Sequence, residues 1–189
     1  MSSKTYNRPL GHLRRITVLL VLVVLLIVAR PVPGDVSLGF LLMAVGEGLR
    51  LWAAGHLRKT VDLVTSGPYR FTRNPLYLGR LLIFTGLGVM CRLPHGLHAV
   101  VLVVGWAIFF YYYLPRKERV EPARLRRQHG AAYDKYHAAV PALFPSRSAY
   151  VDADRAPWSS ERLLRNREHW MAIAVVAAGL WMLWRAYNP

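Results

Sequence analysis

Five apolar runs on the scale of a bilayer, separated by polar and strongly basic stretches, restrict this chain to one broad class of fold. They fall near residues 16–30, 36–57, 76–90, 97–114 and 170–184. A helical span needs about 20 apolar residues, so the first is short, but Arg14, Arg15 and Arg30 can snorkel from its ends. That first run has the look of a secretory h-region. The Arg30-Pro31-Val32-Pro33-Gly34 that follows lacks a small-x-small cleavage pattern, so it reads as a retained span. The expected fold is all-α: a polytopic membrane protein with about five transmembrane helices and a cytosolic helical segment between the fourth and the fifth. A composition of 54% apolar and 12% aromatic residues is too apolar for an ordinary soluble domain and agrees with this.

A net charge of +15 raises the competing idea of nucleic-acid binding. The positions of the basic residues answer it. With the N terminus in the cytosol, four Lys/Arg fall in residues 1–15, four in 58–75 and twelve in 115–168, whereas the opposite side receives only Arg30, Arg92 and Arg185. The excess therefore reads as membrane orientation plus attraction to anionic headgroups, with no nucleic-acid partner. A prokaryotic cytoplasmic membrane is the expected location. The lone Cys91 excludes an intrachain disulfide and a thiolate-cluster metal site. His95 and His98, in and just after a short connection, read as interface residues rather than metal ligands.

Some polar groups lie inside the apolar runs. Glu47 and Arg50, three apart, share a helix face and can pair, and His56 ends the same span. Arg80 follows Tyr77 by about one turn. Glycines at 79, 86 and 88 permit close helix approach, and the short 91–96 connection makes the third and fourth spans an antiparallel hairpin. Tyr111, Tyr112 and Tyr113 read as an aromatic belt at an interface, with a substrate-groove role as the alternative.

The most informative polar stretch is 56–79, HLRKTVDLVTSGPYRFTRNPLYLG. Gly67-Pro68 and Asn74-Pro75 mark two turns, the second placing Pro75 at a helix start. Tyr69, Arg70, Arg73, Asn74 and Tyr77 thus gather at a membrane edge, a costly arrangement unless something binds there. The topology brings the 116–141 segment to the same face. That segment is expected to form helices over 119–129 and 130–139, with Glu118 and Glu121 on one face and Tyr133 and Tyr136 likewise paired.

The stretch LVTSGPYRFTRNPLYLG, followed by Glu121, Leu125, Gly130, Tyr133, Tyr136 and Val140-Pro141, resembles the isoprenylcysteine carboxyl methyltransferase family and the related phospholipid N-methyltransferases. Those are integral membrane enzymes that use S-adenosylmethionine. The resemblance covers roughly residues 45–145. It implies that Leu63, Val64, Tyr69, Asn74, Pro75, Leu76 and Tyr77 bind the cofactor together with the Glu121 carboxylate, and that a substrate-binding cation lies among Arg116, Lys117 and Arg119. Three positions depart from the family pattern: Asn74 stands for a histidine, Pro122 for a second glutamate and His129 for a phenylalanine. Asn74 can replace one hydrogen bond of a histidine but cannot take its proton. Pro122 suits the first turn of a helix and leaves Glu121 as the one family carboxylate.

The expected organisation is a membrane methyltransferase core over 1–145 and a cytosolic linker with a fifth transmembrane helix over 146–189. The expected function is methyl transfer from S-adenosylmethionine, at the cytosolic membrane face, to the carboxylate or amine of an isoprenoid or phospholipid-like molecule. Methyl transfer from a sulfonium is an in-line displacement in which positioning and electrostatics supply most of the catalysis. Arg80, Arg50 and Lys117 are the candidates for orienting the acceptor, and no metal is expected. An NADPH-dependent membrane reductase of the sterol type and a non-catalytic protein retaining the fold are the alternatives.

Overall fold

The computed structural model describes residues 20, 23–58 and 62–188, and among them every regular element is helical. The elements are α1 (Pro33–His56), α2 (Pro75–Met90), α3 (Leu97–Ile108), α4 (Leu114–Ala139), α5 (Ser160–Arg165) and α6 (Glu168–Tyr187), with short 3₁₀ turns at Gly67–Arg70 and Pro94–Gly96. Three helices are long and apolar enough to cross a membrane: α1, the continuous Pro94–Ala139 run that contains α3, and α6. The expected third span, α2, is apolar but has 16 residues, about 24 Å against a hydrocarbon core of about 30 Å. The expected span at 16–30 and the basic residues 1–15 lie largely outside the described residues; the described part at 23–28 is helical.

Helices α1 and α2 form the centre of the bundle, and glycines bring them together. Gly46 faces Gly79 and Gly39 faces Gly86, so two glycines seven residues apart on each antiparallel helix let the backbones approach directly. A Cβ at Gly46 would lie 2.7 Å from the Gly79 carbonyl oxygen, closer than side-chain carbons are found. Helix α3 returns along α2, where Gly88 accommodates Leu102 and Gly105 accommodates Phe84. Helix α6 closes the other side of α1, with Met43, Val36, Val175 and Met182 in one buried cluster.

The two ends of the bundle differ in charge as the basic-residue distribution suggests. At one end the Arg185 guanidinium donates to the Ala29 carbonyl (2.9 Å), Arg92 approaches Asp35 (3.5 Å), and the Arg30 N–H donates to the Arg92 carbonyl (2.9 Å). All three arginines assigned to the less basic side therefore meet there. The 62–74 segment and the packed part of α4 occupy the opposite end.

Two departures concern α3 and α4. The fourth run does not stop at residue 114: the helix continues through a π turn at Phe109–Tyr113, where the Leu114 N–H reaches back to the Phe109 carbonyl, into α4. Pro115 accounts for the widening, because its ring crowds the preceding turn and it has no N–H to offer the Tyr111 carbonyl. Pro122 consequently lies inside α4 and not in the first turn of a separate helix. The expected break before 130 survives as a bend, with Gly130 at φ 49°, ψ −126°, a conformation glycine alone adopts readily.

Candidate functional site

The chain leaves α1 at His56, has no regular secondary structure over 62–65, and turns at Gly67, whose φ of 57° and contact with the His56 ring leave no space for a side chain. Arg73 and Asn74 then fasten this segment to the end of α4. The Arg73 guanidinium donates to the His137 and Val140 carbonyls, both at 2.7 Å, which satisfies terminal carbonyls of α4. Its other arm pairs with Glu118. The Asn74 amide donates to Glu118 Oε1 (2.6 Å) and to the Ala142 carbonyl (2.7 Å), and Thr72 Oγ1 donates to the Leu143 carbonyl (2.8 Å). Asn74 occupies the N-cap of α2, with Pro75 at the first helical position, yet its side chain makes no capping bond. Position 74 thus works as a double donor between two segments, which an amide does without any proton transfer.

These fastenings enclose a cavity of about 360 Å³ between the 57–77 segment and α4. Its wall includes Leu63, Val64, Tyr69, Asn74, Pro75, Leu76, Tyr77 and Glu121, together with Arg80 and Lys117. Arg50 is the exception. It is 2% exposed, paired with Glu47 (3.3 Å) and with Glu168 of α6, and its Nη1 lies 3.5 Å from the Leu76 carbonyl. The expected Glu47–Arg50 pair forms, but Glu168 joins it, and the resulting buried triad ties α6 to α1 behind the cavity wall. Arg50 does not line the cavity, and its guanidinium is shared between Glu47 and Glu168.

The cavity wall carries more cations than carboxylates: Arg58, Arg73, Arg80, Lys117 and Arg124 against Asp62, Glu118 and Glu121. Arg58 pairs with Asp62 (3.2 Å), Arg73 with Glu118, and Lys117 with Glu121. Arg80 has no carboxylate partner among the described residues. Instead it lies over the Tyr77 ring at 5.4 Å, and Lys117 Nζ lies 4.8 Å from the same ring. Burial pushes the phenols of Tyr69 and Tyr136 far above the ordinary tyrosine range, and the Tyr136 hydroxyl donates to the Tyr69 carbonyl (2.8 Å). Burial also raises Tyr133. All three phenols are therefore neutral hydrogen-bonding groups at physiological pH.

A second, more apolar groove of about 310 Å³ runs between α2 and α3, lined by Leu81, Phe84, Gly105, Ile108, Phe109 and Tyr113. It shares Tyr77 and Arg80 with the first cavity, so these two residues stand at the junction. Of the three expected belt tyrosines, Tyr113 lines this groove while Tyr111 is almost fully exposed. Asp62, in the segment that the resemblance places around the cofactor, also lines the first cavity, as do Arg58 and Gln128, to which sequence reasoning gave no role and which nothing in their spacing marks. Among the described residues no group of three or more His, Cys, Asp or Glu could hold a metal ion.

Comparison with known proteins adds a family. Residues 35–119 match the family model described as phospholipid methyltransferase. A 115-residue stretch, 60% of this chain, is 34% identical to the nickel-cobalt-cadmium resistance protein NccN of Alcaligenes xylosoxydans xylosoxydans and covers 49% of that protein. A 116-residue stretch, again 60% of this chain, is 36% identical to the cobalt-zinc-cadmium resistance protein CzcN of Cupriavidus metallidurans and covers 50% of it. The aligned part of the chain thus spans about half the length of these curated relatives. No solved structure matches the chain.

Proposed function

We propose, from the match of residues 35–119 to the phospholipid methyltransferase family model, that the chain is a membrane methyltransferase of the isoprenylcysteine carboxyl methyltransferase-like group and transfers a methyl group from S-adenosylmethionine to a lipophilic acceptor. The observation that supports this best is the junction at Tyr77 and Arg80. There a cavity of cofactor size, with several charged residues in its wall, shares two wall residues with a more apolar groove between two helices, an arrangement in which a water-soluble donor and a membrane-borne acceptor would meet end to end.

The residues present fit the cofactor. An amino-acid sulfonium with an adenosine needs carboxylate acceptors for its ammonium and hydroxyls, a cation for its carboxylate, and apolar and aromatic walls for the purine. Glu121 and Asp62 supply the first, Arg58, Lys117 and Arg124 the second, and Leu63, Val64, Leu76 and Tyr133 the third. Bound there, the cofactor supplies an electrophilic methyl group on sulfur. Tyr77 offers its ring face to positive charge beside the acceptor groove. Arg80, with no carboxylate partner among the described residues, orients an anionic end of the acceptor and draws it toward the junction.

Among the described residues the wall contains no histidine, and its glutamates are already paired, Glu118 with Arg73 and Asn74 and Glu121 with Lys117, so no unpaired base stands at the junction. This favours an acceptor that arrives already ionised, a carboxylate, over an amine that must first lose a proton. In this reading the protein has five spans, counting 16–30 and α2, and lies in a prokaryotic cytoplasmic membrane. The N terminus and the cofactor cavity then face the cytosol, as the basic-residue asymmetry favours.

Calorimetry on detergent-purified protein tests the reading, with S-adenosylmethionine, its demethylated product and NADPH as ligands. Micromolar binding of both adenosyl ligands, lost in Glu121→Ala, is the expected result. Binding of NADPH alone, or of no ligand, overturns it.

A further inference from the structure

The segment that carries Leu63 and Val64 into the cavity wall has almost no secondary structure of its own. Residues 62–65 belong to no helix or strand, and a chain in that condition explores many conformations unless other groups hold it. What holds it comes from far along the sequence. From Ser146 to Asn166 the chain packs against residues 65–71 and 51–58 and is fastened to them at intervals. The Ser146 N–H donates to the Phe71 carbonyl and the Tyr150 N–H to the Arg70 carbonyl, both at 2.9 Å. Farther along, the Ser159 N–H donates to the Gly55 carbonyl (3.0 Å) and the Trp158 indole N–H to the Leu51 carbonyl (3.1 Å). The Asn166 amide then donates to the Ala54 and Leu57 carbonyls, at 3.0 and 3.1 Å, where α1 has run out of its own donors.

Asp154 is the centre of this strap. Its Oδ2 accepts from the Thr65 N–H (3.2 Å) and contacts Arg58 Nη2 (3.3 Å), while its own N–H donates to Thr65 Oγ1 (2.8 Å). Its Oδ1 accepts from the Ala156 N–H (2.8 Å). Thr65 is buried and directly follows Val64, and Arg58 itself lines the cavity. Both carboxylate oxygens face backbone N–H donors. An asparagine at 154 can satisfy only one of them, because its amide nitrogen must then oppose the other.

We propose that Asp154 is a positioning residue for the cofactor cavity, holding the Leu63–Val64 wall and Arg58 in binding-competent register through Thr65, and that the 146–166 strap is thereby part of the site although it lies wholly outside residues 35–119. The proposal rests on the methyltransferase reading above. It assigns the C-terminal region a role in ligand binding and not only in membrane anchorage.

The test compares full-length wild type with Asp154→Asn and Asp152→Asn in detergent, using S-adenosylhomocysteine as the calorimetric probe. Asp152 is exposed and serves as the neighbouring control. Asp154→Asn is expected to bind about tenfold more weakly, the equivalent of one hydrogen bond, while Asp152→Asn binds as wild type does. Hydrogen exchange at 62–66 rises in Asp154→Asn and is restored by saturating ligand. Val175→Ala, in the α1–α6 cluster away from the cavity, provides comparable global destabilisation and leaves affinity unchanged. Asp154→Asn binding within about twofold of wild type overturns the proposal alone, as does an equal affinity loss in Val175→Ala. Wild type that binds no adenosyl ligand overturns the methyltransferase reading and this proposal with it.

Discussion

Replacing Gly46 by alanine tests the packing that positions the whole site. A Cβ there would lie 2.7 Å from the Gly79 carbonyl oxygen and 2.9 Å from Leu82 Cβ, short of ordinary contact at 3.4 Å by roughly 0.7 Å. The obstruction is a backbone carbonyl on a rigid helix, so it cannot swing aside; α1 and α2 must part. A gap of that size forfeits a quarter to a half of each dispersion contact along the seam, and overpacking of this kind costs about 1–3 kcal/mol. Alanine also favours the helix by about 1 kcal/mol, which offsets part of the loss. Gly48, on the same helix with nothing within 4 Å of an added Cβ, gains that propensity without the clash. Reversible unfolding in mixed detergent micelles should therefore show Gly46→Ala less stable than Gly48→Ala by about 1–3 kcal/mol, a difference in which the propensity gain cancels. Equal stabilisation by the two substitutions would refute the close α1–α2 approach. Because α2 presents Leu76 to the first cavity and Tyr77 and Arg80 to both, Gly46→Ala should also weaken adenosyl-ligand binding, whereas Gly48→Ala should not.

Two further outcomes follow from the site. Gly105→Leu narrows the apolar groove against Phe84, so incorporation of labelled methyl groups into extracted lipid should fall at least tenfold while adenosyl-ligand affinity stays within about twofold; loss of both together would mean that the groove is not a separate acceptor path. The buried phenols of Tyr69 and Tyr136 have folded pKa values above the unfolded value of 10.0, so their contribution is fully present below pH 10 and is lost as pH rises from there through the folded values. Thermal unfolding followed across the alkaline range should show that decline. In Tyr136→Phe, which also lacks the bond to the Tyr69 carbonyl, the decline should be shallower, and an identical slope in the two proteins would contradict the burial argument.

Much of the architecture was legible in the residues because membrane insertion imposes a one-dimensional rule: an apolar run of sufficient length forms a helix wherever it occurs, and lysines and arginines record which side each loop faces. That rule gave α1, α3 and α6, the hairpin at 91–96 and the segregation of Arg30, Arg92 and Arg185 at one end. Local turn chemistry placed Pro75 at the start of α2 and the bend at Gly130. The rule was weakest where a proline enters a continuous helix: Pro115 and Pro122 look like boundaries in sequence, but the helix absorbs the first with a π turn and carries the second in its interior.

The cavity shows the same division. Tyr69, Asn74, Tyr77 and Glu121 announced a polar site because such residues beside apolar spans have few bland explanations, and the structure gathers them around one cavity. Arg50 announced itself equally loudly, but its pairing with Glu168 was not legible, because Glu168 lies 118 residues away on a helix whose packing no local pattern reveals. Asp154 and Thr65, 89 residues apart, gave no signal at all. The sequence alone determined that this is a helical membrane protein with a basic, tyrosine-rich site at one end of its bundle, since length, apolarity and charge act residue by residue. Which charges face the cavity, which are neutralised behind it, and what holds its least structured wall in place were decided only by tertiary structure, because each depends on partners that the chain brings together only after the helices have packed.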